Sequence, residues 1–402
     1  MLKLPIYLDN NSTTRVDPEV LEAMLPYFTE SYGNASSKSH EFGWAAEAAV
    51  QHARNLAARL INCEPRDIIF TSGATESVNL AIKGAAEMYR AKGNHIITTE
   101  IEHEAVLDTC KNLERKGFDV TYVKVNDSGI VDPGEIERAV NDKTILVSVM
   151  YANNEIGTIQ PVNEIAKLCK EHKVLFHTDA TQAIGKIPVD LSDHNIDMLS
   201  FSSHKMYGPK GDGALYKTGK LPRVRIEPQT DGGAQEKGLR AGTLNVPGIV
   251  GFGKACEISA KVLNKEAERI TLLRDRLLNG IISGVKDVKV NGDINSRLPG
   301  NLNISIPGID ADSLMMSMKD IAVSTGSACS SESVEPSHVL SAIGLDKKLM
   351  RSTIRFGIGR FNTEEEIEYV INKVNEKVKY LLNINTLSGN GSKTKKGEYA
   401  EN

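Results

Sequence analysis

Val174-Leu-Phe-His-Thr-Asp179-Ala-Thr-Gln182-Ala-Ile-Gly-Lys186 and, after a short connection, Met198-Leu-Ser-Phe-Ser202-Ser203-His204-Lys205-Met-Tyr-Gly208-Pro-Lys-Gly211 decide the reading of this chain. Each stretch opens with a short, largely apolar run and closes on polar side chains. Asp179 ends the first run and Lys205 lies just past the second. Runs that are apolar on nearly every residue fit strands buried on both faces. Moving outward, similar runs stand at Ile68–Thr71, His95–Thr98, Val120–Val125 and Ile145–Met150. Helix-period segments lie among them at Trp44–Leu60, Glu76–Ala91, Glu104–Lys116 and Val162–His172. This alternation predicts an α/β fold: a mostly parallel sheet with helices on both faces.

After about residue 246 the texture changes. A long helical stretch, Val246–Ile282, precedes short strands at Val288–Val290, Leu302–Ile306, Ala322–Val323 and Ile354–Gly357. A final amphipathic helix is expected over about Thr363–Leu382, capped by Thr363. The expectation is a smaller α+β C-terminal domain. The boundaries are a segment 1–14 packing with that domain, a large domain 15–255, the small domain 256–383, and a polar, disordered tail 384–402.

Composition removes several classes of function. The 402 residues are 40% hydrophobic and 25% charged, the balance of a soluble globular protein. A net charge of −4 gives no global basic field for nucleic acid or an anionic membrane. The longest stretches free of charged residues, Ala241–Gly253 and Tyr380–Ser392, fall short of the about 20 residues a spanning helix needs. The start of the chain shows neither an apolar signal core nor an Arg-rich leader, so a cytoplasmic location is expected. An organelle protein after removal of its leader would read the same way. Five cysteines is an odd number without a CxxC, which argues against a disulfide framework or a zinc site. Cys63, Cys110, Cys169 and Cys256 sit in or beside helical segments and read as packing residues. Cys329 lies in Ser324-Thr-Gly-Ser-Ala-Cys329-Ser-Ser-Glu-Ser333, which reads as a mobile surface loop. A thiol there is either tolerated or used.

Ligands of open α/β sheets sit at the carboxyl ends of strands. Thr71-Ser-Gly73-Ala74-Thr75-Glu76 joins a strand to a helix. It suits a phosphate at the helix start, or it is an ordinary cap formed by Thr75. Asp179 could serve a metal, a ribose or a protonated ring nitrogen, or be a solvated strand-end acid. Lys205 could be a catalytic amine or a surface lysine. A phosphate site, a strand-end acid and a lysine one strand later together match what pyridoxal 5′-phosphate requires.

From Ile6 to about Val374 the sequence resembles the cysteine desulfurases, within the fold-type I, class V aminotransferase group. It is most similar to the housekeeping type of bacterial iron–sulfur cluster assembly. The resemblance rests on YLDNNSTT (7–14), FTSGATES (70–77), HIITTEIEHEAVLDTC (95–110), NNEIGTIQPV (153–162), HTDATQAIGK (177–186), SFSSHKMYGPKG (200–211), RAGTL (240–244), STGSACSSESVEPSHVL (324–340) and IRFGIGRFNTEEEI (354–367).

The resemblance implies a role for each matching residue. Lys205 is the Schiff-base lysine, Asp179 the partner of the pyridine nitrogen and Gln182 the donor to the phenolic oxygen. His103 stacks on the ring and transfers protons. Ala74, Thr75, Ser202, Ser203 and His204 bind the phosphate. Thr243 reaches it from a partner subunit, implying a homodimer. Asn154 and Arg355 lie on the substrate side, with Arg355 gripping the carboxylate, and Asn154 also touches the cofactor. Cys329 is the nucleophile that becomes a persulfide, and in one further reading a transient ligand of a 2Fe–2S cluster shared with a scaffold. The implied reaction takes sulfur from L-cysteine, gives L-alanine, and passes sulfur to an iron–sulfur scaffold protein and other acceptors such as tRNA-thiolation proteins. Neither nucleic acid nor a membrane is implied as a direct partner.

The alternatives are a selenocysteine lyase, another class V enzyme such as an aminotransferase, or a non-catalytic sulfur relay. The sequence departs from the pattern at Ala35, at Ser12 where an alanine is usual, in the loop 231–238 and in the tail after Asn383. Ala35 and Ser12 are expected to lie away from the chemistry.

Overall fold

A central sheet of seven strands carries the larger part of the chain in the computed structural model, which describes residues 2–192, 195–220, 223–325 and 337–390. The strands are β1 (Ile68–Thr71), β2 (His95–Thr99), β3 (Asp119–Val123), β4 (Thr144–Ser148), β5 (Leu175–Asp179), β6 (Met198–Ser202) and β7 (Gly213–Lys217). Their order across the sheet is β1-β7-β6-β5-β4-β2-β3. Only β7 is antiparallel, to both neighbours, so the other six run one way and end on one edge.

Neighbouring residues on these strands face opposite ways. Ile69, Leu146, Met198 and Leu215 enter one apolar core with Val78 and Val106 from the helices Ala74–Tyr89 and Glu104–Arg115. Phe70, Val147, Leu199 and Ala214 enter a second core on the other face with Ala46 and Val50 of the helix Glu41–Leu60. The sheet is therefore covered on both sides, and the strand sequences read as continuously apolar for that reason.

The 39-residue helix Val246–Gly284 joins two cores. Its first turns place Ile249, Phe252 and Cys256 against the large sheet. Its later turns place Ile270, Leu273, Leu277 and Ile281 against a three-stranded antiparallel sheet and the last helix. That sheet is formed by Lys289–Val290, Asn301–Ser305 and Thr353–Gly357. Ile6 and Leu8 enter the same core, where Ile6–Tyr7 pairs in parallel with Ile321–Ala322.

From Leu8 the chain leaves the small core and crosses to the edge of the large sheet. Asn10 Nδ2 donates to the Gly357 carbonyl (2.7 Å), and Thr14 N donates to the His204 carbonyl (3.0 Å). Gly357 must be glycine for this crossing: a Cβ there would lie 2.8 Å from the main-chain N of both Asn10 and Asn11.

The last helix spans Glu364–Asn390, longer than the sequence reading, which ended it near Leu382 and began a disordered tail at 384. Ile384 follows Leu381 at helical spacing, and neither Gly nor Pro interrupts before Gly389, so the turn continues. The rest of the expected tail, 391–402, lies outside the described residues, as does Cys329. No helix among the described residues is long and apolar enough to cross a membrane.

Candidate active site

The carboxyl ends of β1, β5 and β6 lie on one edge of the sheet, and the candidate residues collect there. After β1, the helix Ala74–Tyr89 starts at Gly73, whose φ is +154° and which offers no side-chain cap. Thr75 does not cap the helix, contrary to one of the two sequence readings. A Cβ on Gly73 would meet no heavy atom within 4 Å, so space lies open at the helix start. The unpaired N–H groups of Ala74 and Thr75 are in this first turn.

Asp212, just ahead of β7, accepts at its carbonyl from Ser202 Oγ (3.3 Å) and Ser203 N (3.1 Å). A Cβ on the next residue, Gly213, would lie 2.6 Å from Gly73 Cα. This contact sets Ser202 and Ser203 beside the open helix start. Ser203 Oγ is buried and finds no partner among the described residues. His204 shares a hydrogen bond with Thr13 Oγ1 through Nδ1 (3.0 Å) and is pushed down to about 4, first by burial and then by Lys205, Lys210 and Lys186. Unpaired amides, an unpartnered hydroxyl and neighbouring cations form a donor set that suits a phosphate.

Asp179 ends β5, nearly buried, and one carboxylate oxygen accepts from Thr181 N (3.0 Å). Two residues earlier, His177 bridges Ser148 Oγ and Ser200 Oγ (both 2.9 Å) across β4, β5 and β6. Burial pushes this imidazole down to about 3, so it is neutral. Glu102 is wholly buried and pushed up to about 8 by burial, so at neutral pH it holds its proton. Its Oε1 accepts from Met150 N and Thr99 Oγ1 (both 2.8 Å). His103 caps the helix Glu104–Arg115, with Nδ1 accepting from Ala105 N (3.1 Å). Only Nε2 of that ring remains for other chemistry.

Lys205 Nζ donates to two main-chain carbonyls, Asn11 (2.7 Å) and Ser12 (2.5 Å). Gln182 Nε2 donates to the same Asn11 carbonyl (2.9 Å), while its Oε1 accepts from Lys186 Nζ (2.7 Å). Burial, and then Lys205 and Arg355, push Lys186 down to about 7.

Arg355 lies in the strand Thr353–Gly357 of the small sheet and is 2% exposed. Nη1 donates to the Asn154 carbonyl (2.9 Å), and Nη2 donates to Asp9 Oδ1 (2.9 Å) and Ser12 Oγ (2.7 Å). Ser12 therefore touches both Lys205 and Arg355, which overturns the expectation that it lies away from the chemistry. The correction has a simple cause: Ser12 sits where the crossing N-terminal segment passes between the two sheets.

The structure thus brings Gln182, Lys205, Asn154 and Arg355 together through Asn11 and Ser12, and sets Ala74, Thr75, Ser202 and Ser203 side by side. Thr243 is exposed, ahead of Asn245, the cap of the helix Val246–Gly284, and makes no hydrogen bond to the other candidates among the described residues. Cys329 lies outside the described residues, but both flanks of its segment are anchored. Ser324 exchanges main-chain hydrogen bonds with Arg355 (3.3 and 2.7 Å). Ser337 Oγ donates to Glu155 Oε2 (2.6 Å), and His338 Nε2 contacts the Glu102 carbonyl (2.9 Å).

Sequence reasoning assigned no role to Asp9, Asn11, Ser12, Glu102 or Lys186. A signal for the first three existed: six consecutive polar residues, Asp9–Thr14, follow Leu8 with neither strand nor helix period.

The aminotransferase class-V family model matches residues 6–370. The chain is 53% identical to the cysteine desulfurase IscS of Anaeromyxobacter sp. (strain Fw109-5), over 96% of this chain and 95% of that protein. Among solved structures, a NifS-like protein superposes with a TM-score of 0.88 at 41% identity, covering 94% of this chain and all of that one. SspA in complex with cysteine superposes with a TM-score of 0.79 at 38% identity, covering 89% of this chain and all of that one.

Proposed function

The chain belongs to the aminotransferase class-V family, and from that membership and the site we infer that it is a cysteine desulfurase dependent on pyridoxal phosphate. The observation that carries the reading is the arrangement on one sheet edge: an uncapped helix start after β1, Asp179 ending β5, and Lys205 past β6.

Pyridoxal phosphate, when bound, supplies an electron sink for charge developing at Cα. The N–H groups of Ala74 and Thr75, with Ser202, Ser203 and His204, hold its phosphate. Asp179 keeps a proton on its ring nitrogen, and Gln182 Nε2 donates to its phenolic oxygen. Arg355 and Asn154 orient L-cysteine, the guanidinium by its carboxylate. Lys205, as a neutral amine, removes the proton from substrate Cα. His103 moves protons through Nε2, because Nδ1 is committed to the helix cap.

Cys329 acts as a thiolate. Its sulfur attacks the substrate sulfur, a sulfur–sulfur bond forms, and the Cβ–S bond breaks with its electron pair left on the carbon fragment. That fragment takes up protons and leaves as L-alanine, while the persulfide remains on Cys329. The four described cysteines are poor rivals. Cys110, Cys169 and Cys256 are buried, Cys63 is half-buried, and burial pushes every one of these thiols upward.

The working form is a homodimer in which Thr243 completes the partner's phosphate site. Its exposure supports this, as do the exposed apolar side chains of Leu25, Phe28, Tyr32, Phe42 and Trp44. We extend the proposal to sulfur acceptors, an iron–sulfur scaffold protein and others such as tRNA-thiolation proteins, and to a cytoplasmic location.

The test is to supply the purified, cofactor-loaded protein with L-cysteine and a thiol reductant. Equimolar L-alanine and sulfide are expected. A keto acid product would place the chain with the transaminating members of its family and overturn the reading.

A further inference from the structure

A guanidinium has five N–H donors and two faces that can hold a carboxylate by two bonds, Nη1 with Nη2 and Nε with Nη2. Both faces need Nη2. In Arg355, Nη2 donates to both Asp9 Oδ1 (2.9 Å) and Ser12 Oγ (2.7 Å). Nη1 gives one hydrogen to the Asn154 carbonyl (2.9 Å). Nε is buried and finds no acceptor among the described residues. No two-point grip on an incoming carboxylate is available until Nη2 is released, and the group holding it is itself a carboxylate.

We propose that Asp9, assisted by Ser12, holds the place of the substrate carboxylate on Arg355, and that an amino acid binds by displacing Asp9 from Nη2. This rests on the reading of Arg355 as the carboxylate site. The exchange is physically reasonable from both sides. A guanidinium only 2% exposed would be costly without a counter-charge, so an internal carboxylate keeps it satisfied before substrate arrives. Asp9 is the more accessible partner at 18% exposure and can turn toward water when released. The arriving carboxylate gains a bond that Asp9 does not make, because its second oxygen can accept from the unpartnered Nε. Apparent affinity is then the intrinsic affinity lowered by the strength of the internal pair. Asp9 and Ser12 thereby set the working concentration range for the substrate while taking no part in bond breaking.

The test uses the cofactor-loaded protein and three variants: Asp9→Asn, Ser12→Ala and Arg355→Lys. Binding of L-alanine, which has the carboxylate but no thiol, is read by the change in cofactor absorbance and by the rise in melting temperature. Cysteamine, which has the thiol and amine but no carboxylate, is the control. In Asp9→Asn, L-alanine should bind about threefold or more tightly, with a matching fall in KM for L-cysteine. Its ligand-free melting temperature should drop and L-alanine should restore more of it than in the wild type, while cysteamine binding should not tighten. Ser12→Ala should shift L-alanine in the same direction by less. Arg355→Lys should weaken L-alanine. If it weakens L-alanine while Asp9→Asn leaves binding unchanged or weaker, the place-holder is refuted and the carboxylate site stands. If Arg355→Lys leaves L-alanine binding untouched, the carboxylate site itself is wrong and the place-holder falls with it.

Discussion

Lys205 and Arg355, the amine and the carboxylate grip of the proposed function, are both held by the N-terminal segment, but by different kinds of atom. Lys205 rests on the main-chain carbonyls of Asn11 and Ser12, whereas Arg355 is held by the side chains of Asp9 and Ser12 and by the Asn154 carbonyl. Main-chain acceptors stay when residues change, so the amine's resting place depends only on the path of the backbone. Side-chain acceptors can be altered one atom at a time, so the carboxylate side is where affinity can be tuned. On the proposed function, the chemistry is fixed by the fold and the recognition by a few replaceable oxygens.

Four substitutions would break or sharpen that contrast. Lys205→Ala removes the group on the fixed side, and L-alanine release should fall by about a thousandfold or more, with loss of the absorbance band of the lysine-bound cofactor. Arg355→Lys keeps the charge on the tunable side but loses the fork. Steady-state kinetics should show kcat/KM for L-cysteine lower by about tenfold to a hundredfold, mainly through KM. Ser337→Ala strips the donor from buried Glu155 Oε2 at the end of the Cys329 segment, and denaturant unfolding should show a loss of about 1–3 kcal/mol.

The smallest effect at neutral pH belongs to Glu102→Gln, which keeps the shape of the protonated acid. Glu102 is raised to about 8, so between the ordinary carboxylate range and pH 8 the folded chain holds a proton that the unfolded chain has released. Its contribution to stability must therefore fall as pH rises across that window and level off above it. Melting curves from pH 5 to 9 should show Glu102→Gln gaining on the wild type as pH increases. A constant difference would show that Glu102 is ionised in the folded protein.

The α/β character and the three strand-end motifs were legible because sheets buried on both faces leave continuous apolar runs, and the residues that interrupt them stand out. Asp179 and Lys205 were visible on that ground. The helix after His103 was visible too, although the cap by His103 and the commitment of its Nδ1 needed geometry. The polar run Asp9–Thr14 marked Asp9 and Ser12 as unusual, but not as partners of Arg355, because they lie more than 340 residues from it along the chain and meet it only where the small sheet docks. Glu102 escaped for another reason: a single acid beside a histidine carries no sign of burial. The end of the last helix was missed because Asn383-Ile-Asn-Thr is polar enough to resemble a tail, while a helix anchored through Ile367, Val374 and Val378 carries its weak last turns.

The central claim is that sulfur leaving L-cysteine comes to rest on Cys329. Peptide mass spectrometry after a single turnover, with thiols blocked at quench, tests it most directly. The account predicts one added sulfur on the peptide containing Cys329 and none on those containing Cys63, Cys110, Cys169 or Cys256. Added sulfur on any of those four, or alanine formed with no sulfur on Cys329 at any time point, would contradict it.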